Sequence, residues 1–345
     1  MSISNIKNIL QTDLRYRGMA IILVLIFLGG VILFQKAVET GKEVEKIYAD
    51  SFYSVGLEPV KELKLVFVGD IMLDRGVERA IVNYGGGNYN FPFLNISDYL
   101  KSADLAIGNL EGPISDKGYN VGSIYSFRDD PKAIDGLKFA GFDLVCLANN
   151  HMFDYTRAAM EDTFSRLEKA DIKYTGAGLS RSAALKPKVM SAGQAKIAFL
   201  AFTKLGAESW QAKENSSGLA WLTDENVKTS IAKAKEEADI VVVMFHFGDE
   251  YQPLSNSEQK HFAHLAIDFG ADLVIGHHPH VSQETEEYKG KYIAYSLGNF
   301  VFDQDFSEET MESLALEVSV KNKAIKSIEA RKIRLNGFYQ PQLSD

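Results

Sequence analysis

The stretch IGHHPHV, Ile275–Val281, places three of the chain's seven histidines within four positions, with Pro279 between the last two. A transition-metal centre needs several nitrogen donors held in fixed directions, and imidazole is a common one. Two histidines two apart on an extended segment face the same way, and a proline between them stiffens the segment. His278 and His280 are therefore the first candidate ligands, with His277 beside them. The apolar run ADLV directly precedes them, so the trio is expected at the tip of a buried strand.

The same arrangement recurs along the chain. LVFVG ends in Asp70, LAIGNL in Glu111, LVCLA in Asn149, Asn150 and His151, and VVVMF in His246. In open α/β sheets the C-terminal strand ends share one rim, and ligands bind there. Carboxylate, amide and imidazole together suit one or two Zn, Mn or Fe(II) ions, and do not suit Ca or Mg alone. The single cysteine, Cys146 in LVCLA, excludes a thiolate centre and an intrachain disulfide. Each residue also has a structural alternative. Asp70 could cap a helix, Glu111 could serve a turn, and Asn150 and His151 could cap the helix starting near Thr156. His246 could be a satisfied core histidine. His261 and His264, three apart on one helix face, read as surface or packing residues.

These donors require elements to position them. Strands are expected at LKLVFVG, DLAIGNL, FDLVCLA, AKIAFLAF, DIVVVMF and DLVIG, and a strand and turn at KYIAYSLGNFVF. Helices are expected at SDYLKSA, DPKAIDGLKFAG with Pro131 in its first turn, TRAAMEDTFSRLEKADI, NVKTSIAKAKEEA and SEQKHFAHLAIDFGA. A terminal hairpin should turn across Lys321–Lys323. Several strands are continuous apolar runs, which indicates a sheet covered on both faces, and alternating β and α elements indicate an α/β fold.

The formal net charge is −9 and no basic stripe is visible, which argues against nucleic acid as a partner. Gly18–Phe34 reads GMAIILVLIFLGGVILF without a charge. As a helix it spans roughly 25 Å, the short end of what crosses a bilayer core. Lys7, Arg15 and Arg17 against Asp13 precede it, and three lysines against four acids follow to Asp50. The positive side stays in the cytoplasm. The expected organisation is a cytoplasmic stretch 1–17, a single-pass anchor 18–35, a stalk 36–62, an extracytoplasmic domain 63–338 and a tail 339–345.

In order, VGDIML, GNLEGP, ANNHMFDY, FHFGDEY, GADLVIGHHPHV and YSLGNFVFD resemble the capsule-synthesis protein CapA family. That family is involved in poly-γ-glutamate capsule formation and is related to the calcineurin-like metallophosphoesterases. The resemblance spans roughly residues 63–305. It implies a four-layer α-β-β-α sandwich with a dimetal site. Asp70 would match the first-motif aspartate, Glu111 the bridging acid and Asn150 the amide ligand. His151 would be the catalytic histidine, His246 the isolated histidine ligand, and His278 and His280 the His-x-His pair. Two departures stand out. The usual Asp-x-His opening is Asp70-Ile71-Met72, and the second motif carries glutamate in place of Gly-Asp. Asp74, Glu250, Asn299 and Asp303 are further residues that could line the site. Arg75 is a candidate contact for an anionic substrate, with a structural salt bridge as its alternative. The implied function is a membrane-anchored metal-dependent hydrolase acting on an anionic capsule polymer or its precursor, beside other capsule-synthesis membrane subunits. The rivals are a general phosphodiesterase or phosphatase of the same fold, and a non-enzymatic assembly or export factor.

Overall fold

A computed structural model describes residues 28, 30–44, 46 and 61–344. The chain divides into two compact units, Met1–Val60 and Lys61–Asp345. In the first, the described residues 28, 30–44 and 46 are helical. Among the described residues no helix is long and apolar enough to cross a membrane. The expected anchor 18–35 lies mostly outside them, as do the cytoplasmic stretch 1–17 and most of the stalk beyond Val44.

The second unit holds the strands. β1 (Leu63–Ile71), β2 (Leu105–Leu110), β3 (Leu144–Cys146) and β4 (Lys173–Thr175) come first. β5 (Ala177–Gly178), β6 (Lys188–Ala192), β7 (Ala195–Thr203), β8 (Gly218–Leu219), β9 (Ile240–His246) and β10 (Leu273–His277) follow. β11 (Thr285–Tyr288), β12 (Lys291–Ala294), β13 (Asn299–Val301), β14 (Glu312–Lys321), β15 (Ala324–Leu335) and β16 (Pro341–Leu343) complete the set. One sheet runs β16-β15-β14-β1-β2-β3-β4, with β13 also paired to β1, and the other runs β11-β12-β10-β9-β7-β6. β5 and β8 form a small separate pair.

The continuous apolar runs are explained by three buried clusters. Leu65 and Phe67 of β1 meet Phe199 of β7, Met244 of β9 and Ile275 of β10 between the sheets. The alternate residues Val66 and Val68 face outward, onto Val77 and Ile81 of the helix Arg75–Asn83 and Phe164 of the helix Thr156–Lys169. Val241, Val243 and Phe245 of β9 face the opposite way, onto Ile231 of the helix Asp224–Glu237 and Phe262 of the helix Ser257–Phe269. Strand alternation thus sorts each run between two apolar surfaces. The result is four layers, helix–sheet–sheet–helix.

Two local details depart from the sequence reading. The helix near Pro131 starts at Ala133, because Pro131 and Lys132 are taken up in a turn closed by Ala133 N–H to Asp130 O at 2.8 Å. The expected tail 339–345 is partly sheet. Pro341–Leu343 pairs antiparallel with Ile333–Leu335, with proline at the first position of an edge strand, where it is tolerated.

The chain crosses between the sheets just after β12. Leu297 N–H donates to Gly276 O of the second sheet at 3.2 Å, and Gly298 O accepts from Asp70 N–H of the first at 3.0 Å. A Cβ at Gly69 would collide with Gly298 O, so only glycine admits this crossing. The hairpin expected near Lys321–Lys323 joins β14 to β15 through Asn322 and Lys323, at φ 53° and 62°.

Candidate metal centre

The C-terminal strand ends converge because the strands that carry them are parallel and in register. Asp70 pairs with Asn109 of β2 on one side and Asn299 of β13 on the other. In the second sheet His277 pairs with His246, which pairs with Thr203. Glu111 follows β2 directly, two residues beyond Asn109, and both side chains reach the space between the sheets.

Two overlapping triads result. Ligand atoms of Asp70, Glu111 and His246 lie within 4.8 Å of one another, and so do those of Glu111, His278 and His280. Glu111 belongs to both. Its Oε1 is 3.6 Å from His280 Nε2, 3.7 Å from His151 Nε2 and 4.0 Å from His246 Nε2. Asn150 Oδ1 lies 2.7 Å from His246 Nε2. His277 Nδ1 lies 3.2 Å from Asp70 Oδ1, and His278 N–H donates to Asp70 Oδ2 at 3.2 Å.

The segment carrying His278 and His280 is not extended. β10 stops at His277, and the two histidines take φ of 97° and 59°, in the left-handed region. Their rings reach the centre through a turn held open around Pro279, not through strand alternation. Such backbone strain in a non-glycine residue concentrates at functional sites.

The remaining expected residues surround this core in different roles. Asn149 ties strand tips together: its Nδ2 donates to Leu110 O at 2.8 Å, and its Oδ1 accepts from His151 N–H at 3.2 Å. Asn299 Oδ1 lies 3.0 Å from His280 Nδ1 and orients that ring. Asp74 is turned to backbone, accepting from Arg75 N–H at 2.6 Å and Arg128 N–H at 2.8 Å, so it caps a helix and lies off the centre. Arg75 is forked onto Asp303 at 2.9 and 3.1 Å. That pair is the salt-bridge alternative, and it neutralises the guanidinium expected to meet an anionic substrate. Glu250 is exposed, yet its charge is felt at Glu111. His261 and His264 lie away from the site, each on a carboxylate, Asp224 at 3.0 Å and Glu286 at 2.9 Å.

Two functional residues escaped the sequence reading. Asn109 sits at the middle, its Nδ2 donating to Asp70 Oδ1 at 2.8 Å and lying 3.3 Å from His246 Nδ1. Its signal was its place two residues before Glu111, on the same strand face. Asp154 Oδ2 lies 2.6 Å from His151 Nδ1, and Phe127 stacks on the same ring at 3.9 Å. The i, i+3 spacing of His151 and Asp154 was the available sign.

The electrostatics suit a cation. Burial raises the Glu111 carboxyl well above the usual range, and the charges of Asp70, Glu250 and Asp154 add to it. Burial also acts to raise Asp70, but the close approach of His277 and His280 outweighs it and holds that carboxyl well below the usual range. Burial, then the neighbouring His278, pushes His246 well down, and burial with His280 brings His278 to about 3. Both imidazoles are therefore neutral at physiological pH, as ligation requires. Glu111 Oε1, His277 Nδ1 and His278 Nδ1 are buried without a hydrogen-bond partner. Buried polar atoms left this way are costly, and here they belong to side chains gathered among N and O donors. The donor set fits one or two divalent ions of the borderline class.

Residues 64–304 match the profile of the family described as bacterial capsule synthesis protein PGA_cap. The chain belongs to that family. It is 34% identical over 277 residues to the PGA biosynthesis protein CapA of Bacillus subtilis (strain 168), covering 79% of this chain and 72% of that protein. It is 33% identical over 270 residues to the capsule biosynthesis protein CapA of Bacillus anthracis, covering 76% of this chain and 65% of that protein. The fold is shared with a hypothetical protein of Thermus thermophilus of known crystal structure. The TM-score is 0.50 at 16% identity, covering 78% of this chain and 98% of the other. Within the PGA_cap match fall all the donors described above, from Asp70 to Asn299.

Proposed function

We propose that this PGA_cap family member is a metal-dependent hydrolase of metallophosphoesterase type. In this reading it acts in the synthesis, anchoring or processing of a poly-γ-glutamate-type capsule polymer. Gly18–Phe34 anchors it in the cytoplasmic membrane, with Lys61–Asp345 outside the cytoplasm beside other capsule-synthesis subunits. The names of the relatives and the apolar N-terminal run support this setting.

The observation that carries the chemistry is Glu111, which is common to both triads and whose buried Oε1 has no hydrogen-bond partner. Asp70, Glu111, Asn150, His246, His278 and His280 would hold one or two ions of Mn, Zn or Fe. An ion so held supplies Lewis-acid polarisation and an activated water. The chain's own contribution centres on His151. With the Asp154 carboxylate accepting from Nδ1, the ring turns its Nε2 toward Glu111. It can take a proton there and return it to a leaving group, while Asp154 stabilises the imidazolium. Phe127 fixes the ring plane, and Asn299 does the same for His280.

The test is elemental analysis of the purified chain together with turnover of bis-nitrophenyl phosphate in Mn. His246→Ala and His278→Ala should each remove bound metal and turnover. Full metal and full activity in both variants would overturn the reading. One observation favours a second, non-enzymatic reading as an assembly or export factor. Met72 stands where the first-motif histidine is expected, is fully buried, and accepts from Asp74 N–H through its sulfur. It supplies no imidazole to the first triad. Loss of capsule on deleting the anchor, with capsule retained in His151→Ala, would decide for that role.

A further inference from the structure

We propose that the loop Gly118–Phe127 docks on a lipid bilayer, so that the metal centre beside it opens at a membrane surface. The loop reads GYNVGSIYSF, without a charge. Its large side chains point into solvent: Ile124 is 93% exposed, Tyr119 74%, Tyr125 64% and Val121 46%. Four such residues in one uncharged strap form the kind of patch that marks an interaction site.

The strap is framed from within. Asn120 Oδ1 accepts from Gly122 N–H at 2.7 Å and from Ser126 Oγ at 3.2 Å. Val121 N–H donates to Asp154 O at 3.0 Å, and Phe127 N–H to Asp154 Oδ2 at 2.9 Å. These bonds brace the strap from within while its apolar tips stand outward. Val121 and Phe127 both hang from the residue that partners His151, which fixes the strap beside the centre. Another apolar lip lies next to His280. Tyr251, with its ring 6.1 Å from that histidine, packs on the exposed Phe306 at 5.1 Å.

The occupant follows from charge and from the rest of the chain. A carboxylate polymer would need free cations, yet the strap has none and Arg75 is filled by Asp303. The lip at Tyr251 adjoins Asp249 and Glu250, which repel a polyanion. Tyrosine and branched aliphatic side chains with no charge suit the headgroup boundary of a bilayer. The same chain carries the uncharged run Gly18–Phe34, and a linker of the length of residues 36–62 reaches at most about 90 Å. This inference rests on the membrane placement proposed above.

The experiment uses the full chain in phosphatidylcholine nanodiscs at one copy per disc. Ile124→Cys is labelled with an environment-sensitive fluorophore, and Cys146, fully buried, stays unlabelled. Lys326→Cys, on the exposed strand β15, is the control. The probe at 124 should shift to the blue and lose at least fivefold in quenching by aqueous iodide relative to the probe at 326. Equal quenching at both positions overturns the proposal. A shift seen only at two copies per disc also overturns it, and assigns the strap to a second copy of the chain. A chain that fails to enter the discs brings down the membrane placement and this inference together. Metal content measured on the same sample stands apart: a dry probe without metal refutes the metal reading alone.

Discussion

The strand tips of the first sheet deliver mainly carboxylates and amides, Asp70, Asn109, Glu111 and Asn150, with the single imidazole of His151, whereas those of the second deliver imidazoles, His246, His277 and His278, with His280 just beyond. Burial favours the uncharged form of a group on each side. On the first side Glu111 is driven toward its protonated form, while on the second His246 and His278 are driven toward neutrality. Each side alone is an incomplete ligand set: one offers oxygen donors, the other nitrogen donors. Joined, they give the mixed N and O environment of a borderline cation. The joint is made by apolar packing, with Phe67 of one sheet 6.3 Å from Phe199 of the other.

The largest break in this pairing should come from Glu111→Gln, which removes the only residue that serves both triads. Metal affinity, measured by chelator competition, should fall by more than the roughly 100-fold that a supporting residue can cost. An unchanged affinity would show that the two sheets bind independently. Asp154→Asn should leave metal content intact and lower kcat by about 100-fold, with the pH profile of turnover displaced. A proportional loss of metal would instead make Asp154 structural. Asn109→Ala, which unties Asp70 from His246 across the joint, should weaken metal binding by roughly 10-fold with the circular dichroism unchanged.

The smallest effect concerns a buried acid away from the centre. Burial, then the charges of Asp74 and Glu78, raises Asp129 well above 3.8 despite the Leu73 N–H it accepts. The unfolded chain releases this proton near the usual value, while the folded chain keeps it. The stabilising contribution is therefore full below the unfolded value and is lost as pH rises through the folded one. Asp129→Asn keeps the acceptor for Leu73, so the melting temperature of the variant relative to the parent should climb between pH 4 and pH 8. A constant difference would show that Asp129 is ionised throughout.

The α/β layering was legible because apolar runs such as LVFVG and DIVVVMF are too continuous for a one-sided sheet. The positions of Asp70, Glu111, Asn150 and His246 were legible because each closes such a run. Asn109 was not, since an asparagine inside a strand reads as neutral until its neighbours across the sheet are known. The geometry of His278 and His280 was misjudged for a related reason. Spacing of two suggests a strand, but the left-handed turn that actually aims both rings leaves no mark in residue type. β13 was not legible beyond the strand and turn of KYIAYSLGNFVF, because nothing in YSLGNFVF announces that the chain changes sheets. Arg75 looked available because its partner, Asp303, lies far along the sequence.

The order of strands along the chain sets a schedule for assembly. β1, which carries Asp70, lies against β13 and β14, which are among the last strands to be made. Long-range pairing of this kind is slow, and it cannot begin before both partners exist. Asp70 and Glu111 are synthesised well before His246, His277, His278 and His280, and β13 and β14 come later still. The full donor set is therefore brought together only after most of the chain exists, and a half-made chain offers a cation only part of it.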